Sequence, residues 1–104
     1  MKKLSILGST GSIGTNALRV VEEFSEDLQV VALAAGRNLS LLVEQAKRYR
    51  PRLLCVELAS DRDRLKRLLE EQGDGLPEIP IVWGVDGLRQ AATFAECDSV
   101  LCAI

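Results

Sequence analysis

The sequence lacks histidine altogether and has only three cysteines, Cys55, Cys97 and Cys102. Without histidine, these 104 residues hold no His-based catalytic triad, no histidine general base and no histidine metal ligand. The cysteines are odd in number and match no metal-binding spacing, and Cys55 and Cys102 fall in predicted strands. We therefore expect buried, reduced thiols rather than metal ligands.

Long apolar segments and an excess of positive charge are also missing. The longest uninterrupted apolar run, residues 30–35, is far too short to span a bilayer. The net charge of −2 and the isoelectric point near 5.1 argue against a general nucleic-acid-binding surface. Lys2 and Lys3 resemble the start of a signal peptide, but residues 8–10 interrupt the apolar stretch too soon. We therefore expect a cytoplasmic protein that binds neither nucleic acid nor membranes.

What is present is a regular alternation of strand and helix patterns over the length of one domain. Strands are predicted at residues 3–7, 28–35, 53–57, 81–83 and 99–104, and helices at residues 11–24, 40–50, 60–72 and 86–95. Short apolar strands that alternate with helices are typical of the α/β class. They predict a doubly wound parallel sheet with helices on both faces.

The helical period predicts which side chains face the core. The predicted inward residues are Ile13, Ala17, Val20, Val21 and Phe24 in the first helix, Leu42, Val43, Ala46 and Tyr49 in the second, Leu65, Leu68 and Leu69 in the third, and Leu88, Ala91, Ala92 and Ala95 in the fourth. Ser40 is predicted to cap the second helix, and Gly73 to end the third. We also expect the Trp83 side chain to serve packing rather than binding.

Three equally spaced glycines, Gly8, Gly11 and Gly14, join the first strand to the first helix. Glycine allows a sharp turn and lets backbone N–H groups approach a phosphate without a Cβ in the way. The spacing G-x-x-G-x-x-G is a variant of the commoner dinucleotide motif G-x-G-x-x-G. The turn predicts a site for a nucleotide pyrophosphate, and glycines that merely form a tight turn are the structural alternative.

The first helix has no carboxylate before Glu22, whereas the third and fourth predicted helices have acidic residues in their first turns. Acidic residues are favoured there because the helix N-terminus carries a partial positive charge. The first helix therefore leaves its positive end free for an outside anion. Ser9, Thr10 and Ser12 supply additional hydroxyl donors.

The second predicted strand leads into Gly36, Arg37 and Asn38, and residues 30–38 contain no acid. In NAD-binding units, an Asp or Glu about 20 residues beyond the glycines binds the ribose hydroxyl. A carboxylate would repel the 2′-phosphate of NADP. Arg37 attracts this phosphate and can bind it through two parallel N–H donors of its guanidinium group. The turn therefore predicts NADP(H) over NAD(H). The alternatives are that Arg37 is a solvated loop cation and that Asn38 serves only the turn, where Asn is common for its own sake.

Ligands of doubly wound sheets bind at the carboxyl ends of the strands. The sequence stops after the apolar run of residues 100–104, where such a site would begin. We therefore expect residues 1–104 to be an apparently truncated NADPH-binding domain of a longer, multidomain protein. Glu57 also ends a predicted strand and could face a ligand, but we favour a solvated loop acid.

These segments together resemble the start of the 1-deoxy-D-xylulose 5-phosphate reductoisomerase family. The likeness lies in residues 4–14, in residues 30–38, in Val43-Glu44-Gln45 and in the closing Ala103-Ile104, so it covers essentially the whole chain. The glycine turn combined with the turn after the second strand is highly specific. Where the family often has lysine in that second turn, this chain has Arg37, which keeps the positive charge.

The resemblance implies a Rossmann-like, NADPH-binding domain of an enzyme of non-mevalonate isoprenoid biosynthesis. The family rearranges 1-deoxy-D-xylulose 5-phosphate to an aldehyde, which NADPH reduces to 2-C-methyl-D-erythritol 4-phosphate. A divalent metal, Mg²⁺ or Mn²⁺, holds the substrate oxygens. The family is homodimeric, and fosmidomycin-type inhibitors occupy its substrate site.

The resemblance also implies roles for individual residues. Its cofactor-binding residues are Thr10, Gly11, Ser12 and Ile13 at the pyrophosphate, with Gly8 as the first glycine of the turn, then Gly36, Arg37 and Asn38 at the 2′-phosphate, and Ala103 with Ile104 near the nicotinamide. The family's metal-binding carboxylates and substrate-phosphate site come later in its chain. We therefore expect no catalytic or metal-binding residue here, and a fragment that binds cofactor without catalysing the reaction.

Two other functions fit parts of the pattern. Another NADP-dependent oxidoreductase with a Thr-Gly-x-x-Gly turn, such as an aspartate-semialdehyde dehydrogenase, would carry its catalytic cysteine in a later domain. A non-catalytic nucleotide-sensing module would often bind NAD(H) through an acid after the second strand. The presence of Arg37 in that turn argues against such a module. A purely structural interaction domain would not explain the acid-free start of the first helix.

Overall fold

A computed structural model describes residues 1–72 and 76–104, in which strands and helices alternate along the chain. The elements are β1 (Lys2–Leu7), α1 (Ser12–Glu23), β2 (Leu28–Ala34), α2 (Leu39–Tyr49), β3 (Leu53–Val56), α3 (Ala59–Gln72), β4 (Ile81–Trp83), α4 (Gly84–Ala92) and β5 (Ser99–Cys102). The predicted order of elements is confirmed. The predicted helix end at Gly73 lies outside the described residues.

The five strands form one parallel sheet in the order β4-β3-β2-β1-β5. The chain moves outward from β1 to β4 in single steps and then returns to place β5 on the other side of β1. Leu7 at the end of β1 is therefore aligned with Ala34 of β2 on one side and with Cys102 of β5 on the other. The predicted α/β class with a parallel sheet is confirmed.

Alternating strand residues supply two separate apolar cores, one on each face of the sheet. On one face, Ile6 and Leu33 pack with buried residues of α1, α2 and α3. On the other face, Leu7 and Ala32 pack with Ala91 of α4. The period of two in the strands explains this division, because successive side chains point to opposite faces. Helices therefore cover both faces, as the doubly wound pattern predicts.

The predicted inward face of α1 is wrong at three positions. Ile13, Val20 and Phe24 are 63%, 48% and 51% exposed, whereas Gly14, Leu18 and Val21 are buried. The buried face of α1 is shifted by one residue from the predicted face because α1 contacts the end of β1 through Gly14. Gly14 has no apolar side chain, so the hydrophobic pattern does not mark it, although its backbone makes a very close contact with Gly8. Ala17 is half-buried, as predicted.

The starts of α2 and α4 also differ from the prediction. Asn38, not Ser40, caps α2, because its Oδ1 accepts a hydrogen bond from the Leu41 N–H at 3.1 Å. Helix α4 begins at Gly84, directly after the N-cap residue Trp83 and two residues before the predicted start, while Asp86 lies in its first turn as expected. Trp83 is 45% exposed, so the expectation that it packs is met only in part.

Strand β5 and the end of α4 are more exposed than predicted. Helix α4 ends at Ala92, which leaves Ala95 outside it and exposed. Strand β5 ends at Cys102 and pairs with β1 alone among the described strands. The Cys102 side chain is therefore exposed and that of Cys97 half-buried, so burial is confirmed only for Cys55.

Gly14 provides a test of this packing. A Cβ at Gly14 would lie 2.1 Å from the Gly8 carbonyl oxygen, whereas a Cβ at Gly11 would lie 3.7 Å from the same atom. Ala usually stabilises a helix relative to Gly by roughly 1 kcal/mol, but here we expect Gly14→Ala to destabilise the protein by at least about 2 kcal/mol. Gly11→Ala should change stability by less than about 1 kcal/mol. Urea unfolding of both variants checks this, and equal stability of the two would contradict it.

Candidate dinucleotide-binding site

A cleft of about 570 Å³ opens at the carboxyl edge of the sheet, where the strands on either side of β1 end. It extends across the ends of β5, β1, β2 and β3, and so includes the point between β1 and β5 where the order of strands reverses. Crevices of this kind are the usual ligand sites of open α/β sheets. Six of the residues predicted to bind cofactor line it, namely Gly8, Thr10, Gly11, Gly36, Ala103 and Ile104.

The first glycine turn is fixed by backbone contacts on both sides. The N–H groups of Gly8 and Ser9 both donate to the Ala34 carbonyl at the end of β2, at 2.7 and 2.9 Å. The Ala103 N–H donates to the Leu7 carbonyl at 2.7 Å and so extends the pairing of β1 with β5. Gly8 has φ +91°, a left-handed conformation that favours glycine, and its position leaves only 3.0 Å between a Cβ and the Ala103 backbone.

The start of α1 presents free donors next to this turn. Its N-cap is Gly11, which makes no side-chain capping bond, and its first turn has no acidic residue. Within the described residues, no hydrogen bond uses the backbone N–H groups of Thr10, Ser12 or Ile13. Unpaired N–H groups at a helix start, together with the helix dipole, favour an anion. A Cβ at Gly11 would make only an ordinary contact, 3.7 Å from the Gly8 carbonyl oxygen, so the turn is not crowded beside these donors, and the arrangement fits a diphosphate.

The second predicted turn lies at the rim of the cleft. Gly36 lines the cleft, and a Cβ there would meet no atom within 4 Å, so the chain itself leaves this space empty. The Arg37 side chain is 91% exposed, and its Nε lies 3.6 Å from Oε2 of Glu57. An ion pair as exposed as this contributes little to stability. Arg37 can therefore exchange Glu57 for a phosphate at small cost, whereas Asn38 has a structural role as the cap of α2.

Sequence reasoning missed the far wall of the cleft. Cys55, Val56 and Glu57 line it at the end of β3, and the start of α4 adds Gly84, Val85 and Leu88. We expected Glu57 to be a solvated acid, but it lines the cleft and pairs with Arg37. Its place at a strand end was a usable signal, because carboxyl ends of parallel strands meet at one edge. The apolar wall formed by α4 carries no comparable sequence signal.

The described residues offer neither a metal centre nor a membrane span. No group of three or more His, Cys, Asp or Glu side chains in residues 1–72 and 76–104 is arranged to hold a metal ion. In the same part of the chain, no helix is both long enough and apolar enough to cross a bilayer.

The thiol of Cys55 is buried at the base of the cleft, and burial raises its pKa from 9.0 to about 11. Between these two pH values the unfolded chain loses this proton while the folded chain retains it, so stability falls as the pH rises. We expect this group to cost about 2 kcal/mol of stability by pH 11. Unfolding measured from pH 8 to pH 11 should show a shallower decline for Cys55→Ala than for the exposed-site control Cys102→Ala. Equal slopes would contradict the burial effect.

Comparison with known protein families gives a match over almost the whole chain. The family model described as 1-deoxy-D-xylulose 5-phosphate reductoisomerase matches residues 4–104. The enzyme of that name from Synechococcus sp. (strain CC9605) is 47% identical over 108 residues, covering 100% of this chain and 25% of the relative. Its counterpart from Symbiobacterium thermophilum is 51% identical over 106 residues, with 27% of the relative covered. The chain thus spans about a quarter of the length of these relatives.

Solved structures of similar proteins agree with the sequence match. A crystal structure of DOX-P reductoisomerase with NADPH, fosmidomycin and magnesium superimposes with a TM-score of 0.90 at 26% identity, over 100% of this chain and 24% of the other. The reductoisomerase from Zymomonas mobilis in complex with NADPH gives a TM-score of 0.80 at 32% identity, over 99% of this chain and 26% of the other.

Proposed function

Because the chain belongs to the 1-deoxy-D-xylulose 5-phosphate reductoisomerase family, we propose that residues 1–104 are the NADPH-binding domain of such an enzyme. The observation that carries the proposal is the uncapped, acid-free start of α1 directly behind the glycine turn, at a cleft whose rim carries Arg37. The complete enzyme rearranges 1-deoxy-D-xylulose 5-phosphate and reduces the product with NADPH to 2-C-methyl-D-erythritol 4-phosphate.

The glycine turn would hold the diphosphate of the cofactor. In this proposal the backbone N–H groups of Thr10, Ser12 and Ile13 donate to the phosphate oxygens, and Gly11 leaves room for them. Support comes from the lack of competing partners for these groups among the described residues. Gly8 keeps the turn close to β5, where Ala103 would contact the nicotinamide. When bound, NADPH supplies the hydride for the reduction.

The turn after β2 would select NADPH over NADH. Gly36 would admit the adenosine ribose, Arg37 would bind the 2′-phosphate, and the Nδ2 group of Asn38 would donate to it. The Oδ1 atom of Asn38 is occupied by the α2 cap, so the amide nitrogen is the group left to serve as a donor. The lack of any acid in residues 30–38 supports this selection, because a carboxylate would repel the phosphate.

The remaining parts of the enzyme would lie in the rest of a longer polypeptide. These parts are the catalytic residues, the carboxylates that hold Mg²⁺ or Mn²⁺, and the site for the phosphosugar substrate. We propose that the complete protein is a cytoplasmic homodimer, and that this domain alone binds cofactor without turnover. A structure described with NADPH, fosmidomycin and magnesium supports the placement of these parts outside this domain, since this fold makes up about a quarter of its chain.

The cofactor preference provides the test. We expect calorimetric titration of the full-length protein to give tighter binding of NADPH than of NADH. Arg37→Ala should lower NADPH affinity roughly 10- to 100-fold, because a hydrogen bond to a charged group contributes about 1.5–3 kcal/mol. NADH affinity should change little.

Arg64→Ala is the matched control, since Arg64 is an exposed arginine on α3 that does not line the cleft. It should leave the affinity for both cofactors unchanged. Equal binding of NADPH and NADH by the unsubstituted protein would contradict the assignment of the 2′-phosphate site. The lack of binding to either cofactor by folded protein would contradict the proposed domain function.

A further inference from the structure

Gln45 is a polar side chain buried in the apolar face of α2. It is only 5% exposed, and its helix neighbours Leu42 and Ala46 are fully buried. Its Nε2 donates to the backbone carbonyl of Ser9 at 2.8 Å, across 36 positions of sequence. A buried amide in an apolar helix face is costly unless it makes such a bond. The contact therefore needs an explanation beyond packing.

The acceptor of this bond, the backbone carbonyl oxygen of Ser9, lies just before the start of α1. In a helix continued toward the N-terminus, this carbonyl would accept the N–H of Ile13, four residues later. The extended backbone at Gly11, with φ −79° and ψ 174°, interrupts the helix, and the Ile13 N–H has no partner among the described residues. Gln45 thus supplies the donor that the interrupted helix does not supply. The turn can stay open without leaving a buried carbonyl unpaired.

The Gln45 amide can make this hydrogen bond in only one of its two orientations, the one that places Nε2 against the Ser9 carbonyl oxygen. Within the described residues, neither Oε1 of Gln45 nor the buried hydroxyl of Ser9 has a hydrogen-bond partner. Rotation of the amide by half a turn would place oxygen against the Ser9 carbonyl oxygen and lose the one bond that is made. Only a side chain with a donor at this position can hold the turn in this way.

We infer that Gln45 is a positioning residue of the cofactor site, which fixes the glycine turn so that the N–H groups at the start of α1 stay available for the diphosphate. The inference rests on the proposed function. Gln45 lies on the helix that Asn38 caps, directly after Arg37. Its bond to Ser9 therefore also ties the turn for the diphosphate to the element that begins at the turn for the 2′-phosphate.

The test replaces Gln45 by methionine, which has a similar volume but no donor, in the full-length protein. Two probes are used, NADPH and adenosine 2′-monophosphate, which lacks the diphosphate. We expect Gln45→Met to weaken NADPH binding about tenfold and to change binding of adenosine 2′-monophosphate less than twofold. In turnover, KM for NADPH should rise while kcat stays within about twofold. Gln90→Met, an exposed glutamine on α4, is the matched control and should change neither affinity.

The outcomes separate positioning from general destabilisation. An equal loss of affinity for both probes would mean that Gln45 supports the fold as a whole, and would overturn the inference. Unchanged NADPH affinity in Gln45→Met would overturn it as well, while leaving the proposed function intact. If the unsubstituted protein bound no NADPH, the proposed function would fail and this inference with it. If Gln45→Met folds only in part, the apparent affinities for both probes fall by the same factor, so the ratio between the two affinities remains decisive, and Gln45→Leu provides a second variant.

Discussion

The close approach of three backbone segments around Gly8 and Gly14 is the constraint on which the rest of the structure depends. The end of β1, the start of α1 and the end of β5 meet there at distances that leave no room for a Cβ at Gly14 and little room at Gly8. This contact sets how α1 lies on the sheet, and it brings Ala103 beside the glycine turn. The cleft exists because these segments come together while the sheet order reverses around β1.

In the proposed site, recognition of the cofactor's phosphates would be divided between two turns of opposite character. At the start of α1 the donors are backbone N–H groups whose positions are fixed by the fold, and no side-chain cap competes for them. At the end of β2 the donor is the cationic side chain of Arg37, which is almost fully exposed and shares a weak ion pair with Glu57. The first turn suits a group common to all dinucleotides. The second suits the additional phosphate that distinguishes NADP from NAD.

The order of elements and the glycine turn could be predicted because they depend on local signals. Apolar runs such as residues 30–35 and the equal spacing of Gly8, Gly11 and Gly14 are visible without any knowledge of packing. The rotation of α1 could not be predicted, since it follows from a backbone contact at Gly14. The contact of Gln45 with Ser9 was equally invisible, because it joins residues from two βα units that only the folded sheet brings together.

The central claim is that both turns bind one NADPH molecule. A crystal structure of the full-length protein with NADPH tests it most directly. The account predicts the diphosphate within hydrogen-bond distance of the Thr10, Ser12 and Ile13 N–H groups, and the 2′-phosphate on Arg37 after its separation from Glu57. A cofactor bound away from this cleft, or a 2′-phosphate that faces solvent without contact to Arg37, would contradict it.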